Sequence, residues 1–250
     1  HYLKRVDRDT PSLQFVRELV QNGIEANAQN IKIRELKVDL PQQQGPNKTT
    51  SKFMISDDGD GMTARFMYEH LAKMNSSSKS LNSDYHENFG IGAKITTAMW
   101  NPYGVVFCSW HKDKPDQGHL VWLHYNKKYN AICLKGFKRQ VIEERRGQYS
   151  FVEEQITTTI QGRNENIIPL LDEDGDPHEL ESSIKWHELR PKSGHGTVVV
   201  LMGESPEDNT WTDSNRKPLS EWDLVRYLNT RYKSFPQGLL ITSAIIRSDN

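Results

Sequence analysis

An amphipathic helix and three glycine turns, spaced in a fixed order, leave this chain few ways to fold. Leu13, Val16, Val20 and Ile24 recur at helical spacing and mark a buried stripe. Glu18, Asn22 and Glu25 share another face of the same helix. Thr10-Pro11 supplies its start, a capping hydroxyl and then a proline at the first helical position. The acidic turn Asp57-Asp58-Gly59-Asp60-Gly61-Met62 follows, then Asn88-Phe89-Gly90-Ile91-Gly92-Ala93-Lys94, and far downstream Gly194-His195-Gly196-Thr197. Taken singly, these are a solvated helix face and ordinary turns. Taken in order, they read as a nucleotide site.

The 250 residues fit one domain. Ile31 and Ile33 alternate with Lys32 and Arg34 as in a strand, and Leu36, Val38 and Leu40 continue with shifted phase. Residues 41–50 read as a loop, and Lys52 to Ser56 as a second strand ending at the acidic turn. Thr63 caps a helix expected to run to about Met74. The small polar tract Asn75–Asp84, lying between two binding motifs, is expected to form a lid over 75–93. Residues 95–100 continue a helix out of the glycine loop. Gly104–Trp110, His119–Tyr125 and Ala131–Leu134 then form an antiparallel meander. Residues 139–192 read poorly, as an insertion. Within them Asp172-Glu173-Asp174-Gly175-Asp176 lacks the spacing of a calcium loop and is expected to be an acidic surface turn. Thr197–Met202 is a buried strand, Leu219–Lys233 an amphipathic helix and Gly238–Ile246 a final strand.

The common nucleotide and hydrolase signatures are missing. No Gly-Lys dipeptide supports a P-loop, Gly90-Ile91-Gly92 lacks the third glycine of a dinucleotide fingerprint, and no H-E-x-x-H or G-x-S-x-G occurs. The residues present still make a coherent site. Asn22 can give Mg²⁺ a hard oxygen, because Mg²⁺ keeps several waters and takes phosphate oxygens as its other ligands. Glu18, one turn earlier, can polarise a water aimed at the terminal phosphate. Gly90 and Gly92 let backbone N–H groups approach phosphates at a helix start. Asp57 can accept a hydrogen bond from an exocyclic amine such as adenine's, Gly59 and Gly61 turn the chain beside a flat ring, and Thr197 adds a hydroxyl.

These motifs resemble the ATP-binding domain of the GHKL superfamily: gyrase B, the ninety-kilodalton heat-shock chaperones, histidine kinases and MutL. Phe15 through Ala28 is similar to the first box of that family, Asp57-x-Gly59-x-Gly61-Met62-Thr63 to the second, Phe89-Gly90-Ile91-Gly92 to the third and Gly196-Thr197 to the fourth. The motif form is nearest to the heat-shock chaperone and microrchidia-like branches. The resemblance implies a Bergerat fold, an α/β (α+β) two-layer sandwich with helices on one face of a mixed, mostly antiparallel sheet. It implies one ATP-binding domain over 1–250. Glu18 would be the general base, Asn22 the Mg²⁺ ligand and Asp57 the adenine reader. Ala26 and Met62 would line the ring, Thr197 would support Asp57, and Arg17 would restrain Glu18. Phe89, Gly90, Ile91 and Gly92 would form the phosphate loop, with Lys94 touching either phosphate or solvent. Glu25 departs from the aspartate common at its place.

The resulting expectation is an ATPase, weak as an isolated domain, that binds ATP, ADP and Mg²⁺. Slow hydrolysis would drive a conformational or dimer clamp in a larger chaperone-like or DNA-linked protein. A nucleotide-gated interaction module without significant hydrolysis is the alternative, and a histidine kinase catalytic domain a third. The chain opens on His1, which suggests an excised domain, with a phosphate-sensing lysine and a nucleotide-dependent homodimer both belonging to the longer protein. Lys+Arg 32 against Asp+Glu 33 gives no global basic field, so nucleic acid would be met only through other regions. No apolar run reaches the ~18 residues of a membrane span. Cys108 and Cys133 read as reduced thiols in a cytoplasmic protein, or a nuclear one in a eukaryote.

Overall fold

Ile31 and Ile33 face one side of the sheet, whereas Leu36 and Val38 face the other. The computed structural model describes residues 13–40, 49–72, 97–98, 100–145, 148–178, 180, 183–212 and 221–244. In it the first strand, β1 (Asn30–Asp39), pairs with β2 (Thr49–Asp57) in unbroken register from Ile31↔Asp57 to Asp39↔Thr49. The shift in apolar phase is therefore not a bulge. Side chains alternate across a strand, so the shift moves burial from one face to the other.

Helix α1 (Gln14–Glu25) precedes β1, and α2 (Ala64–Met67) follows β2 and widens into a π turn at Tyr68–Ala72. Thr63 caps α2, its hydroxyl accepting from the Phe66 amide at 3.2 Å. Strands β3 (Gly104–Trp110), β4 (Gly118–Asn126) and β5 (Ala131–Leu134) form the expected meander. The region 139–192 holds most of the hairpin β6 (Phe137–Arg145) and β7 (Gln148–Ile156), which starts two residues before it, the small hairpin β8 (Thr158–Ile160) and β9 (Arg163–Glu165), and the short β10 (Ile168–Pro169). A 3₁₀ turn at Trp186–Leu189 leads to β11 (Gly196–Gly203), α3 (Glu221–Arg231) and β12 (Leu240–Ala244). The main sheet runs β10-β4-β3-β11-β2-β1-β12, with β5 on β4. Every pairing in it is antiparallel except β1 with β12. This is the mixed, mostly antiparallel sheet with helices on one face that the motifs imply.

Both faces are covered, which is why β3, β4 and β11 read as nearly continuous apolar runs rather than alternation, and β2 carries Phe53, Met54 and Ile55 in succession. On the helix side, Val16, Leu19 and Val20 of α1 and Leu224 and Leu228 of α3 pack over Phe53, Ile55, Phe107, Val121 and Val199. On the other side, Met54, Val106, Trp122, Val198 and Val200 are covered by Phe137, Ile156, Ile168 and Trp186. The region that reads as an insertion is thus the lid of a second core. Trp122 centres it, fully buried, with ring centroids 5.6 Å from Phe137 and 5.9 Å from Trp186 and its indole N–H donating to the Tyr103 carbonyl at 3.0 Å. Lys52, also fully buried, ties β2 to the loop after β11 by donating to the carbonyls of Met202 at 2.8 Å and of Asp208. Burial pushes its ammonium down to about 8, against the pull of Asp208 and Glu207. Asp172 closes the acidic turn on itself, its Oδ1 accepting from the amides of Asp174 and Asp176 at 3.0 and 2.9 Å.

Candidate functional site: a cavity under the first helix

A cavity of about 340 Å³ opens on the helix side, large enough for a small organic ligand. Its floor comes from a single rung of the sheet and the rung beside it. Ser109, Thr197, Asp57 and Ile31 are consecutive partners across β3, β11, β2 and β1. Two residues along, Phe107, Val199, Ile55 and Ile33 are partners in the same way. A polar rung therefore lies next to an apolar one, and Asp57, Thr197, Ile55, Val199 and Phe107 all line the cavity. That combination suits a flat, apolar ring with a polar edge.

The walls are set by two close approaches. Gly23 lies against the sheet where a Cβ would stand 2.9 Å from Ile31 Cδ1 and 3.4 Å from Asp57 Cβ. A glycine inside a helix costs roughly 1 kcal/mol relative to alanine. Here it lets α1 settle onto the sheet and bring Asn22 and Ala26 into the cavity wall. Gly61 has φ +68, and a Cβ there would collide with the Trp110 carbonyl. The acidic turn thereby folds back over β3, and Met62 enters the opposite wall with Phe66, His70 and Leu71. The π turn widens the backbone where His70 and Leu71 enter, as such turns often do beside sites.

The three acidic residues of the turn have separate surroundings. Asp58 Oδ1 accepts from the amides of Gln29 and Asn30 at 2.8 and 2.7 Å, and Oδ2 from the Asn30 side chain at 2.6 Å. Burial works against its ionisation, but those hydrogen bonds outweigh it and hold the carboxyl below its ordinary value. Asp60 sits at the rim, bonded to Asn27 at 3.1 Å and to Lys112 at 3.0 Å, and these contacts also lower it. Asp57 stands on the floor of the cavity, whereas Asp60 lines its rim. Burial raises its carboxyl to about 6, although the amides of Gly59 and Thr197 and the nearby His195 pull it back. His195 Nδ1 in turn lies 2.7 Å from the Gly59 carbonyl.

Of the residues singled out in the sequence, Asn22, Ala26, Asp57, Gly61, Met62 and Thr197 surround one cavity. Gly59 packs behind it, where a Cβ would stand 2.6 Å from the Ala26 carbonyl. Glu18 does not line the enclosed part. It lies one turn further along α1, where Gln14 donates to its Oε1 at 2.8 Å and Arg17 stands 3.9 Å from the same oxygen. Phe89, Gly90, Ile91, Gly92 and Lys94, the lid at 75–93 and the Thr10-Pro11 helix start lie outside the described residues. The sequence did not reveal Phe66, His70, Leu71 and His111 in the lining, nor Ser109, which stands beside Thr197. The Ser109 hydroxyl is fully buried and touches Met62, Gly196 and Thr197. Only strand register places it beside Thr197, and no local pattern marks it.

A family model described as "Histidine kinase-, DNA gyrase B-, and HSP90-like ATPase" matches residues 12–158, more than half of the chain. That span includes the first three motifs, while Thr197 lies beyond it. No curated protein matches significantly. Among solved structures, the Aquifex aeolicus MutL ATPase domain complexed with ADP is similar at 12% identity and a TM-score of 0.31. The alignment covers 77% of this chain and 42% of that one, so this chain spans less than half of the solved domain's length.

Proposed function

The chain belongs to the histidine kinase-, DNA gyrase B- and HSP90-like ATPase family, a family of ATP-binding domains, and from that premise we propose that it binds Mg-ATP and hydrolyses it slowly. The observation that carries this reading is the polar rung of Asp57 and Thr197 flanked by the apolar Ile55, Val199 and Phe107 in one cavity. Adenine would lie against that floor with its amino group toward Asp57, between Ala26 and Met62. The phosphates would then run along α1 toward its N-terminus. Asn22 comes first, and Glu18 follows about 6 Å further on at ~1.5 Å per residue, outside the enclosed part, where the triphosphate tail has to emerge.

Asn22 fits a Mg²⁺ ion because an amide oxygen is a hard ligand and phosphate oxygens and water can complete the shell. Bound there, the ion would neutralise phosphate charge. Glu18 would act as general base, polarising the attacking water through Oε2 while Gln14 and Arg17 hold Oε1. Gly90, Gly92 and Lys94 are proposed to approach the phosphates. The domain is proposed to work in the ATP-rich cytoplasm as the motor of a nucleotide-dependent clamp within a longer protein.

Calorimetry with Mg-ATP and steady-state phosphate release test the division of roles. Glu18→Ala is expected to keep affinity within a few fold and to lower hydrolysis by roughly 10²-fold or more, the usual range for loss of a general base. Asn22→Ala is expected to weaken Mg²⁺-dependent binding. Equal loss of binding in both variants overturns the assignment. Unchanged phosphate release in Glu18→Ala favours a nucleotide-gated interaction module instead.

A further inference from the structure

Ser109 has one hydroxyl proton and two lone pairs, and three polar atoms compete for them. The Met62 amide donates to its Oγ at 2.7 Å. The Gly196 carbonyl lies 3.1 Å away and can only accept. Thr197 Oγ1 lies 2.9 Å away and can do either. One arrangement satisfies all three: Ser109 gives its proton to Gly196 and accepts from both Met62 and Thr197. If it gave its proton to Thr197 instead, the bond to the Gly196 carbonyl would be lost within a fully buried site.

We propose that Ser109 is a positioning residue that captures the Thr197 hydroxyl proton and so makes the cavity floor acceptor-only, selecting a purine that carries an exocyclic amine. Thr197 lines the cavity beside Asp57. With its proton held by Ser109, it turns only lone pairs toward a ligand. Together with the Asp57 carboxylate it welcomes the 6-amino group of adenine and repels a 6-oxo group, which brings lone pairs to the same place. A site built to pair with one such group discriminates against its replacement because polar atoms are left mispaired. Ser109 touches no ligand itself. It also fixes the Met62 amide, so the acidic turn and the base-reading strand share one anchor. The inference rests on the reading of this cavity as a nucleotide site.

The test is calorimetry with adenosine diphosphate and purine riboside diphosphate, which differ only in the 6-amino group. The wild type is expected to prefer the adenine nucleotide. In Ser109→Ala the Thr197 proton is free to swing toward the ligand, and the preference is expected to fall by about tenfold or more. A purely structural role would weaken both nucleotides together and leave their ratio unchanged. Ser109→Cys keeps nearly the same volume with weaker hydrogen bonding, and its ratio is expected to fall in the same direction, so it carries the test if the alanine variant does not fold. In a Thr197→Val background, Ser109→Ala is expected to have no further effect on the ratio. An unchanged ratio in either folded single variant, or a further shift in the Thr197→Val background, overturns the role of Ser109 alone. Failure of the wild type to bind either nucleotide overturns the nucleotide reading and this inference with it.

Discussion

The two faces of the sheet are made by the same strands, and they are packed to different ends. Trp122 and its neighbours Val106, Cys108 and Val200 point to the side where Trp186, Phe137 and Ile156 fill the space. One residue along each strand, Phe107, Val199 and Ile55 point to the side where a cavity of about 340 Å³ is left between α1 and the acidic turn. The lesson is a division by parity. Alternate positions on β2, β3 and β11 serve stability on one face and ligand shape on the other, so a substitution should act according to which side its Cβ leaves the strand.

The sharpest way to break that division is Trp122→Ala. Removing a fully buried tryptophan costs about 3–5 kcal/mol in typical cores. Urea unfolding should show that loss, while the nucleotide affinity of the fraction still folded stays near that of the wild type. A matching loss of affinity would mean that the two faces are not separable.

Asp57→Asn probes the cavity face and should move stability and binding in opposite directions. The native carboxyl titrates at about 6, above its ordinary value of 3.8. Between those values the folded chain holds a proton that the unfolded chain has released, so stability falls as pH rises through the window. Above pH 6 the full cost is present, on the order of 3 kcal/mol for a shift of about two units. Asparagine does not titrate. The stability of the variant relative to the wild type should therefore climb by about that amount between pH 4 and pH 7, measured by paired urea titrations. Its ATP affinity at pH 7 should fall by ~1–3 kcal/mol, because one acceptor oxygen becomes a donor facing the base. A flat stability difference across the window would show that burial does not perturb Asp57.

The smallest effect is expected at the tip of the hairpin that covers the second core. Phe151 is 74% exposed and pairs across the hairpin with the exposed Ile142, whereas Phe137 and Ile156 at its base are buried. Phe151→Ser should change stability by no more than about 0.5 kcal/mol, as for most surface sites. A larger loss would place part of the second core in the tip.

Much of this could be read in the sequence. The apolar stripe of α1 has a strong helical period, the meander β3–β5 and the strand Gly196–Gly203 are marked by apolar runs between turns, and the acidic turn is marked by its glycines. The phase change after Ile33 was visible, but its meaning depended on what covers the second face. That cover comes from single residues scattered over the base of the β6–β7 hairpin, the two-residue β10 and the 3₁₀ turn, Phe137, Ile156, Ile168 and Trp186, and such a scatter carries no period. Within the site, Asn22, Ala26, Asp57 and Met62 belong to local motifs. Ser109 does not, because its partnership with Thr197 spans 88 positions and is defined by strand pairing alone. The glycine inside α1 was a readable signal. Gly23 sits in the last turn of α1, where a Cβ would crowd Ile31 and touch Asp57.

Because the floor of the cavity is two neighbouring rungs of paired strands, its chemistry is stored in an offset between strands as much as in the residues themselves. If β11 slipped by one position against β2, Val198 or Gly196 would stand opposite Asp57 in place of Thr197. The hydroxyl would be gone, and the side chains of β11 would exchange faces, taking Val199 out of the floor and into the aromatic core. An insertion within β11 is therefore far more damaging than its size suggests. The same insertion between Asp113 and Gln117, outside the paired rungs and past the contact of Lys112 with Asp60, would leave the site intact. Circular permutants and loop grafts can be guided by that rule, with junctions placed between strands and never within the rung that holds Ser109, Thr197 and Asp57.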